Sequence, residues 1–311
     1  MQGRIVVVGG LNMDLHLFGV HPSAGQAPLL ADSSLAQPGG KGANVARAAA
    51  RLGAQVVLVG RVGDDEFGRD CLAGVNADGV DTSSVAITPG TATGFVAIEL
   101  REGRHRSLVY TAGANDLLTW SDIEPSVRDL TSADIVVVQA EIPVAALDAL
   151  ATFTTQRRIP MFLDPTPPDR LRTEHLRAAE VITPDLAEAA QLVGRQDTSL
   201  LWPSLAASEL LDAGARLVLI KTGASGALLA KSDGLVQVPT LRVDAVDETG
   251  AGDVFLAALA VSRIEGADWE VATRFANAAS ALSVAASGLV LPTRRDVDEA
   301  TSMIAVRTEE S

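Results

Sequence analysis

The chain of 311 residues is 47% apolar and carries a formal net charge of −14 at pH 7. That length accommodates one large α/β domain or two ordinary ones; the acidic balance argues against a nucleic-acid partner, and no apolar run approaches the roughly 20 residues of a membrane-spanning helix. Cys71 is the only cysteine, which excludes an internal disulfide and leaves no cysteine cluster for zinc. The histidines His16, His21, His105 and His175 never stand at metal-ligand spacing. The N-terminus enters a short apolar run without a basic leader or cleavage-type stretch, so a cytoplasmic location is expected.

In chain order, short β-branched runs at 5–8, 56–59, 135–138, 161–163, 181–182 and 217–220 read as buried parallel strands. Segments with helical period lie between them, at 43–52, 65–77, 144–156, 205–213, 254–264 and 269–286. Strand alternating with helix predicts an α/β fold with a doubly wound, mostly parallel sheet and helices on both faces. Residues 15–37 and 93–110 break that rhythm with alternation near period two, the second reading as a hairpin that turns near Glu102-Gly103. The expectation is one domain over 1–311 with a small β-sheet lid inserted as those two segments.

Four glycine-containing segments carry the candidate chemistry. Gly9-Gly-Leu-Asn-Met-Asp14 follows the first strand and offers Asn12 and Asp14 where ligands bind in such sheets. Gln37-Pro-Gly-Gly-Lys-Gly-Ala-Asn44 sets Gly40, Lys41 and Asn44 before a strong helix, and an amide supplies donor and acceptor together. A glycine-rich cap with a solvated lysine has the same composition. Lys221, Thr222, Gly223, Ala224, Ser225 and Gly226 end a strand in small polar residues that suit a nucleotide, though a β-turn is the commoner meaning. Only three lysines occur in the chain, and Lys41 and Lys221 are two of them.

The most informative segment is Asp247-Glu-Thr-Gly-Ala-Gly-Asp253, followed at once by an apolar helical pattern. Unpaired N–H groups and the dipole at a helix start make Gly250, Ala251 and Gly252 an anion hole, and Asp253 beside it can take a proton from an attacking hydroxyl. An ordinary glycine turn with an acidic cap reads the same way on its own. The Walker signature is absent, and Phe255 occupies the last glycine's place of a dinucleotide fingerprint.

In this order, the segments resemble the ribokinase, or phosphofructokinase-B, family of carbohydrate kinases over nearly the whole chain. The specific stretches are Gly39-Gly-Lys-Gly-Ala-Asn44, its extension Gly60-Arg-Val-Gly-Asp-Asp-Glu-Phe-Gly68, and Asp247 to Asp253. The resemblance implies sugar contacts from Asn12, Asp14, Gly40, Lys41, Asn44 and Glu141, with Asp253 as catalytic base. It implies a nucleotide pocket lined by Asp185, Lys221 to Gly226 and Asn277, and magnesium organised through water by Glu188. It also implies a potassium-type ion held by Asp247, Thr249, Ser283, Ala286, Gly288 and Thr293, and a homodimer clasped through the lid. Three positions depart from the family pattern: Asp185 and Asp164 replace asparagines, and Glu248 stands where threonine is common.

The reaction so implied is transfer of the ATP γ-phosphoryl group to a primary hydroxyl of a small sugar, with D-ribose O5 as the expected acceptor. Fructose, 2-keto-3-deoxygluconate and a nucleoside such as pseudouridine keep the chemistry and change the acceptor. A sugar- or nucleotide-binding regulator without catalysis is the reading from another class.

Overall fold

The computed structural model of the chain describes residues 3–22, 29–101, 104–195, 202–286 and 288–309. Its main sheet has nine strands in the order Gly234–Val238, Ala227–Lys231, Val218–Lys221, Val181–Ile182, Met161–Asp164, Ile135–Gln139, Ile5–Val8, Val56–Gly63 and Asp81–Thr88. Pairing is parallel from Val218–Lys221 to Asp81–Thr88, and the two strands at the other edge run antiparallel. Strand side chains alternate between two cores, as a sheet covered on both faces requires. Ile5 and Val7 pack with the helices Lys41–Arg51, Ala251–Ile264 and Trp269–Ser283. Val6 and Val8 pack with Trp120–Val127, Val144–Arg157 and Trp202–Asp212. This is the doubly wound α/β fold that the alternation predicts.

Ile5–Val8 lies between strands reached in opposite directions, so the crevice beyond its carboxyl end is a topological switch point. On one face of the sheet that end carries a polar row: Gln139, Asp164 and Thr183 are fully or almost fully buried, and Lys221 is partly so. No helix among the described residues is long and apolar enough to cross a membrane. Cys71 is fully buried and its thiol donates to the Asn12 carbonyl at 3.2 Å, which fits the role of filler on an amphipathic helix.

A second sheet runs in the order Ser33–Gly39, Asn12–Phe18, Gly94–Arg101 and Arg104–Thr111. Asn12–Phe18 pairs antiparallel with Ser33–Gly39 and parallel with Gly94–Arg101. Gly94–Arg101 and Arg104–Thr111 pair as the expected antiparallel hairpin, whose turn at Glu102-Gly103 lies outside the described residues, as do 23–28 of the first lid segment. The sheet begins earlier than the sequence reading placed it, at Asn12. Asn12, Asp14 and His16 therefore share one face with Val96 and Ile98, because side chains alternate strictly along paired strands.

Candidate active site

Two helices start at the switch point and meet there. Lys41–Arg51 is capped by Gly40 at φ 93°, where a Cβ would lie 2.7 Å from the Asn12 nitrogen and the Gly10 oxygen. Only glycine lets the backbone turn there and approach the first strand so closely. Ala251–Ile264 is capped by Gly250 at φ 74°, again in the left-handed region. Both helices begin a residue or more before the predicted starts, so Lys41 and Asp253 stand in first turns, with Asn44 one residue beyond.

Asp253 is almost completely buried and is held between the two helices. Its Oδ2 accepts from Asn44 Nδ2 at 2.8 Å, and its Oδ1 lies 3.8 Å from Lys41 Nζ with no hydrogen-bond partner. Burial pushes its carboxyl above the usual carboxylate range, against the pull of Lys41 and the Asn44 hydrogen bond. Burial works against the Lys41 charge, but Asp253, Asp164, Glu141 and Glu188 surround the ammonium and raise it above an ordinary lysine. The N–H groups of the first turn after Gly250 have no intrahelical carbonyl to meet and face the same space as the dipole.

On the sheet side, burial and the Asp253 charge push Asp14 up to about 7, with a Gly40 backbone hydrogen bond opposing. Its Oδ1 is buried and unpartnered. Glu141 also rises to about 7 through burial, with Lys41 opposing, and its Oε2 is likewise unpartnered. Buried acceptors without donors are costly, so four carboxylates that each leave one free oxygen around this crevice (Asp14, Glu141, Asp164 and Asp253) mark a place where hydroxyl or ammonium donors arrive.

Asp164, named from the sequence only as a departure, sits at the centre of the second half of the site. Lys221 Nζ lies 3.5 Å from Asp164 Oδ2 and 3.8 Å from Glu188 Oε2. Burial alone would raise Asp164, yet Lys221 and Lys41 hold it at about 2. Lys221 also lies beside the first turn of the helix after Gly250, since a Cβ on Gly252 would be 3.2 Å from its Nζ. Beyond it, the loop from Thr222 closes on itself through Thr222 N to Gly226 O at 2.8 Å and Gly226 N to Gly223 O at 2.9 Å, with Gln237 donating to Ser225 O at 2.8 Å.

Asp185 and Glu188 form a reciprocal helix cap: Asp185 Oδ1 accepts from Glu188 N and Glu188 Oε2 from Asp185 N, each at 2.7 Å. The Thr166 hydroxyl donates to Glu188 Oε1. Aspartate and asparagine cap equally well, so aspartate at 185 keeps this helix start intact. Asn277 is buried and donates to the carbonyls of Val238 at 2.9 Å and Pro239 at 3.1 Å, tying the edge strand to its helix. Asp247 braces the remaining loop, accepting from Thr249 N at 2.9 Å, Thr249 Oγ1 at 2.7 Å and Gly288 N at 2.9 Å. Ser283 donates to Ser280 O, and Thr293 caps the last helix against Asp296. Ala286 and the departing residue Glu248 flank this loop without a side-chain bond to the site in the described contacts.

Asn115 was invisible in the sequence reading. It is buried and bonded to both Leu11 and Asn12, inside Gly113-Ala-Asn115, and its only signal is a Gly-Ala-Asn string like that of residues 42–44.

A buried carboxylate with one free oxygen, at a helix N-terminus on a doubly wound sheet and flanked by two lysines, defines a phosphoryl-transfer enzyme that acts on an alcohol. The model of the pfkB family of carbohydrate kinases matches residues 2–295. A ribokinase of Bacillus subtilis (strain 168) is 39% identical over 299 residues, covering 95% of this chain and 98% of that protein. A deoxyribokinase of Salmonella typhi is 32% identical over 251 residues, covering 80% and 82%. The structure of Arabidopsis thaliana ribokinase complexed with ribose and ATP superposes with a TM-score of 0.85 at 27% identity, covering 97% of this chain and 99% of that one. The chain belongs to the pfkB family of carbohydrate kinases, and it is an ATP-dependent sugar kinase of ribokinase type.

Proposed function

We propose that the chain phosphorylates O5 of D-ribose with ATP, and that Asp253 is the base. The observation that carries this reading is the meeting of two helix N-termini on Asp253, whose Oδ1 is buried, unpartnered and 3.8 Å from Lys41 Nζ. Asn12, Asp14, Gly40, Lys41, Asn44 and Glu141 line the sugar side, where carboxylates and amides match vicinal hydroxyls. Lys221 to Gly226, Asp185 and Asn277 border the nucleotide side. The sugar O–H bond breaks with its proton passing to Asp253 Oδ1; the sugar oxygen bonds to the γ-phosphorus while the bond to the β-phosphate oxygen breaks and releases ADP. The first-turn N–H groups after Gly250 and the Lys221 ammonium meet the charge on the transferred group.

Glu188 and Asp185 fit a magnesium ion held through water, since their cap leaves lone pairs free and Asp164 Oδ2, paired in charge with Lys221, makes no hydrogen bond. Such an ion neutralises phosphate charge during transfer. We assign a potassium-type ion to backbone oxygens of the loop that Asp247 braces, with Thr249, Ser283, Ala286, Gly288 and Thr293 around it.

An ADP-release assay across pentoses, hexoses, 2-deoxy-D-ribose and nucleosides tests the acceptor. D-Ribose should give the highest kcat/KM, exceeding 2-deoxy-D-ribose by at least about tenfold, because a site built to bond a hydroxyl rejects the analogue that lacks it. A nucleoside exceeding ribose overturns the acceptor, and turnover of no acceptor overturns the kinase reading. Repeating the panel with potassium replaced by a bulky organic cation tests the ion: unchanged turnover removes it.

The small sheet is read as a lid that excludes water and as the clasp of a homodimer. Leu108 is 57% exposed on the sheet face it shares with Ile98, and Val109 is 66% exposed on the opposite face of the same outer strand; exposed apolar positions on an outer strand invite a second copy. Ile98 is 4% exposed within one chain, so a charge there would damage the sheet itself and Leu108 is the cleaner probe. Light scattering should report about twice the 32.2 kDa chain mass and Leu108→Glu should return it toward one. A wild-type monomer leaves only the single-chain lid.

A further inference from the structure

Asn115 is 2% exposed and reaches the root of the lid from the short turn Gly113–Leu117. Its Oδ1 accepts from Leu11 N at 3.0 Å. Its Nδ2 donates to Leu11 O at 3.1 Å and to Asn12 Oδ1 at 2.9 Å. A primary amide has two N–H donors, and both are used. Rotating the amide by half a turn would set an NH₂ against the Leu11 N–H and two oxygens against each other, so the Leu11 backbone fixes its orientation. Asn115 in turn fixes Asn12: with Oδ1 committed to Asn115, the group that Asn12 keeps free is its Nδ2 donor, which has no hydrogen-bond partner among the described contacts. Space around this junction is tight, since a Cβ on Gly94 would lie 2.1 Å from Asn12 Oδ1 and 2.4 Å from Asn115 Nδ2.

Two residues along the same face of the strand, Asp14 holds a buried Oδ1 with no partner. A free donor and a free acceptor stand on one face at i and i+2, roughly 7 Å apart along the strand. That separation is spanned by two hydroxyls on neighbouring sugar carbons, one accepting from Asn12 Nδ2 and the other donating to Asp14 Oδ1. Asp14 in its ionised form only accepts, so in that form the direction of the chain is set throughout, and bonds arranged head to tail polarise one another.

We infer that Asn115 is a positioning residue for sugar binding: it locks the Asn12 amide with its N–H end toward the sugar and thereby sets the direction of the hydrogen bonds that neighbouring sugar hydroxyls make with Asn12 and Asp14. The inference rests on the sugar pocket assigned above, and the experiment separates the two. Asn115→Asp keeps the size and the acceptor for Leu11 N but replaces the donor toward Asn12 by an oxygen, so Asn12 turns and presents its own oxygen to the sugar.

Ribose KM, ATP KM and Tm are measured for Asn12→Ala, Asn115→Asp and the double variant. Asn115→Asp should raise ribose KM about tenfold, the scale of one lost hydrogen bond, with ATP KM within twofold of wild type. In the Asn12→Ala background the same change should add almost nothing, because it acts only through Asn12. A fall in Tm from the lost Leu11 contact is common to both backgrounds and cancels in this comparison. Ribose KM within twofold of wild type in Asn115→Asp, or the same rise with and without Asn12, overturns the inference. An Asn12→Ala variant with unchanged ribose KM overturns the pocket assignment instead.

Should Asn115→Asp not fold, the wild-type enzyme with isotope-labelled side-chain amides decides by magnetic resonance. Ribose should move the Asn12 amide signals, while the Asn115 amide protons stay protected from exchange with and without sugar. An Asn115 amide that exchanges like an exposed one overturns the inference.

Discussion

Asp253→Asn should lower kcat by at least about a hundredfold, the usual scale for loss of a positioned base, while the folded protein keeps or slightly gains thermal stability. The two halves of that expectation have one cause. The carboxylate is buried, and burial raises its proton affinity, so the ionised form is held in place by Lys41, by the 2.8 Å bond from Asn44 and by the charge of Lys221. An isosteric amide fills the same space without the cost of a buried charge. Its oxygen can still accept from Asn44, and ATP binding should stay close to wild type because the nucleotide half is organised by Lys221, Asp164 and the Asp185–Glu188 cap. What disappears is the buried Oδ1 without a hydrogen-bond partner, the atom proposed to take the hydroxyl proton. Steady-state kinetics with a melting curve on the same preparation measures both halves. Turnover within tenfold of wild type would remove Asp253 from the proton transfer, and a large loss of Tm would reassign it to the frame of the site.

The sequence foretold the parallel strands because each is an unbroken apolar run buried on both faces, as at Ile5–Val8 with every residue at 0% exposure. It foretold that a helix follows the glycines at Gly40 and Gly250, whose conformational freedom no side-chain-bearing residue shares, but it placed the starts two and three residues late, at 43 and 254 against Lys41 and Ala251. The edge strand Asp81–Thr88 went unread: it is partly exposed along its length and begins Asp-Thr-Ser-Ser, a composition that also suits a loop. The antiparallel pair Ala227–Lys231 and Gly234–Val238 was likewise unread, although Lys231-Ser-Asp-Gly234 between its strands has the polar Asp-Gly composition of a hairpin turn. The helix Arg294–Glu309 escaped because a mostly polar helix has a weak apolar stripe.

In the site, residues near a glycine signal were legible and those placed by pairing were not. Asn12 and Asp14 were found by their position after the first strand, but their place on the root of the lid follows from register with Gly94 and Val96, a long-range fact. Asp164 was legible as a departure, and only the fold brings it 3.5 Å from Lys221, more than fifty residues away in sequence. Asn115 acts across 104 positions in the chain, and its one local signal, a Gly-Ala-Asn string, does not say what it touches.

Lys41→Met should cost at least about a hundredfold in kcat/KM at neutral pH, with a loss that shrinks as pH rises. Lys41 is about a quarter exposed, at 27%, and lies 3.8 Å from Asp253 Oδ1, and it is the largest influence holding that carboxyl down against burial. Methionine keeps the length and shape of the side chain and removes the charge. The Asp253 carboxyl, already above the ordinary range, then rises further, so at neutral pH a larger share of the enzyme carries a protonated aspartic acid that cannot accept the hydroxyl proton. A base whose proton affinity rises is restored by raising pH, so the acidic limb of the kcat/KM profile moves toward higher pH and the variant approaches wild type at the alkaline end. Glu141, held near 7 with Lys41 opposing its burial, moves in the same direction and steepens the effect. Profiles of both proteins from about pH 6 to about pH 9 measure the displacement. A loss of the same size at every pH would mean that Lys41 only binds the sugar, and a displacement toward lower pH would contradict the assigned electrostatics of Asp253.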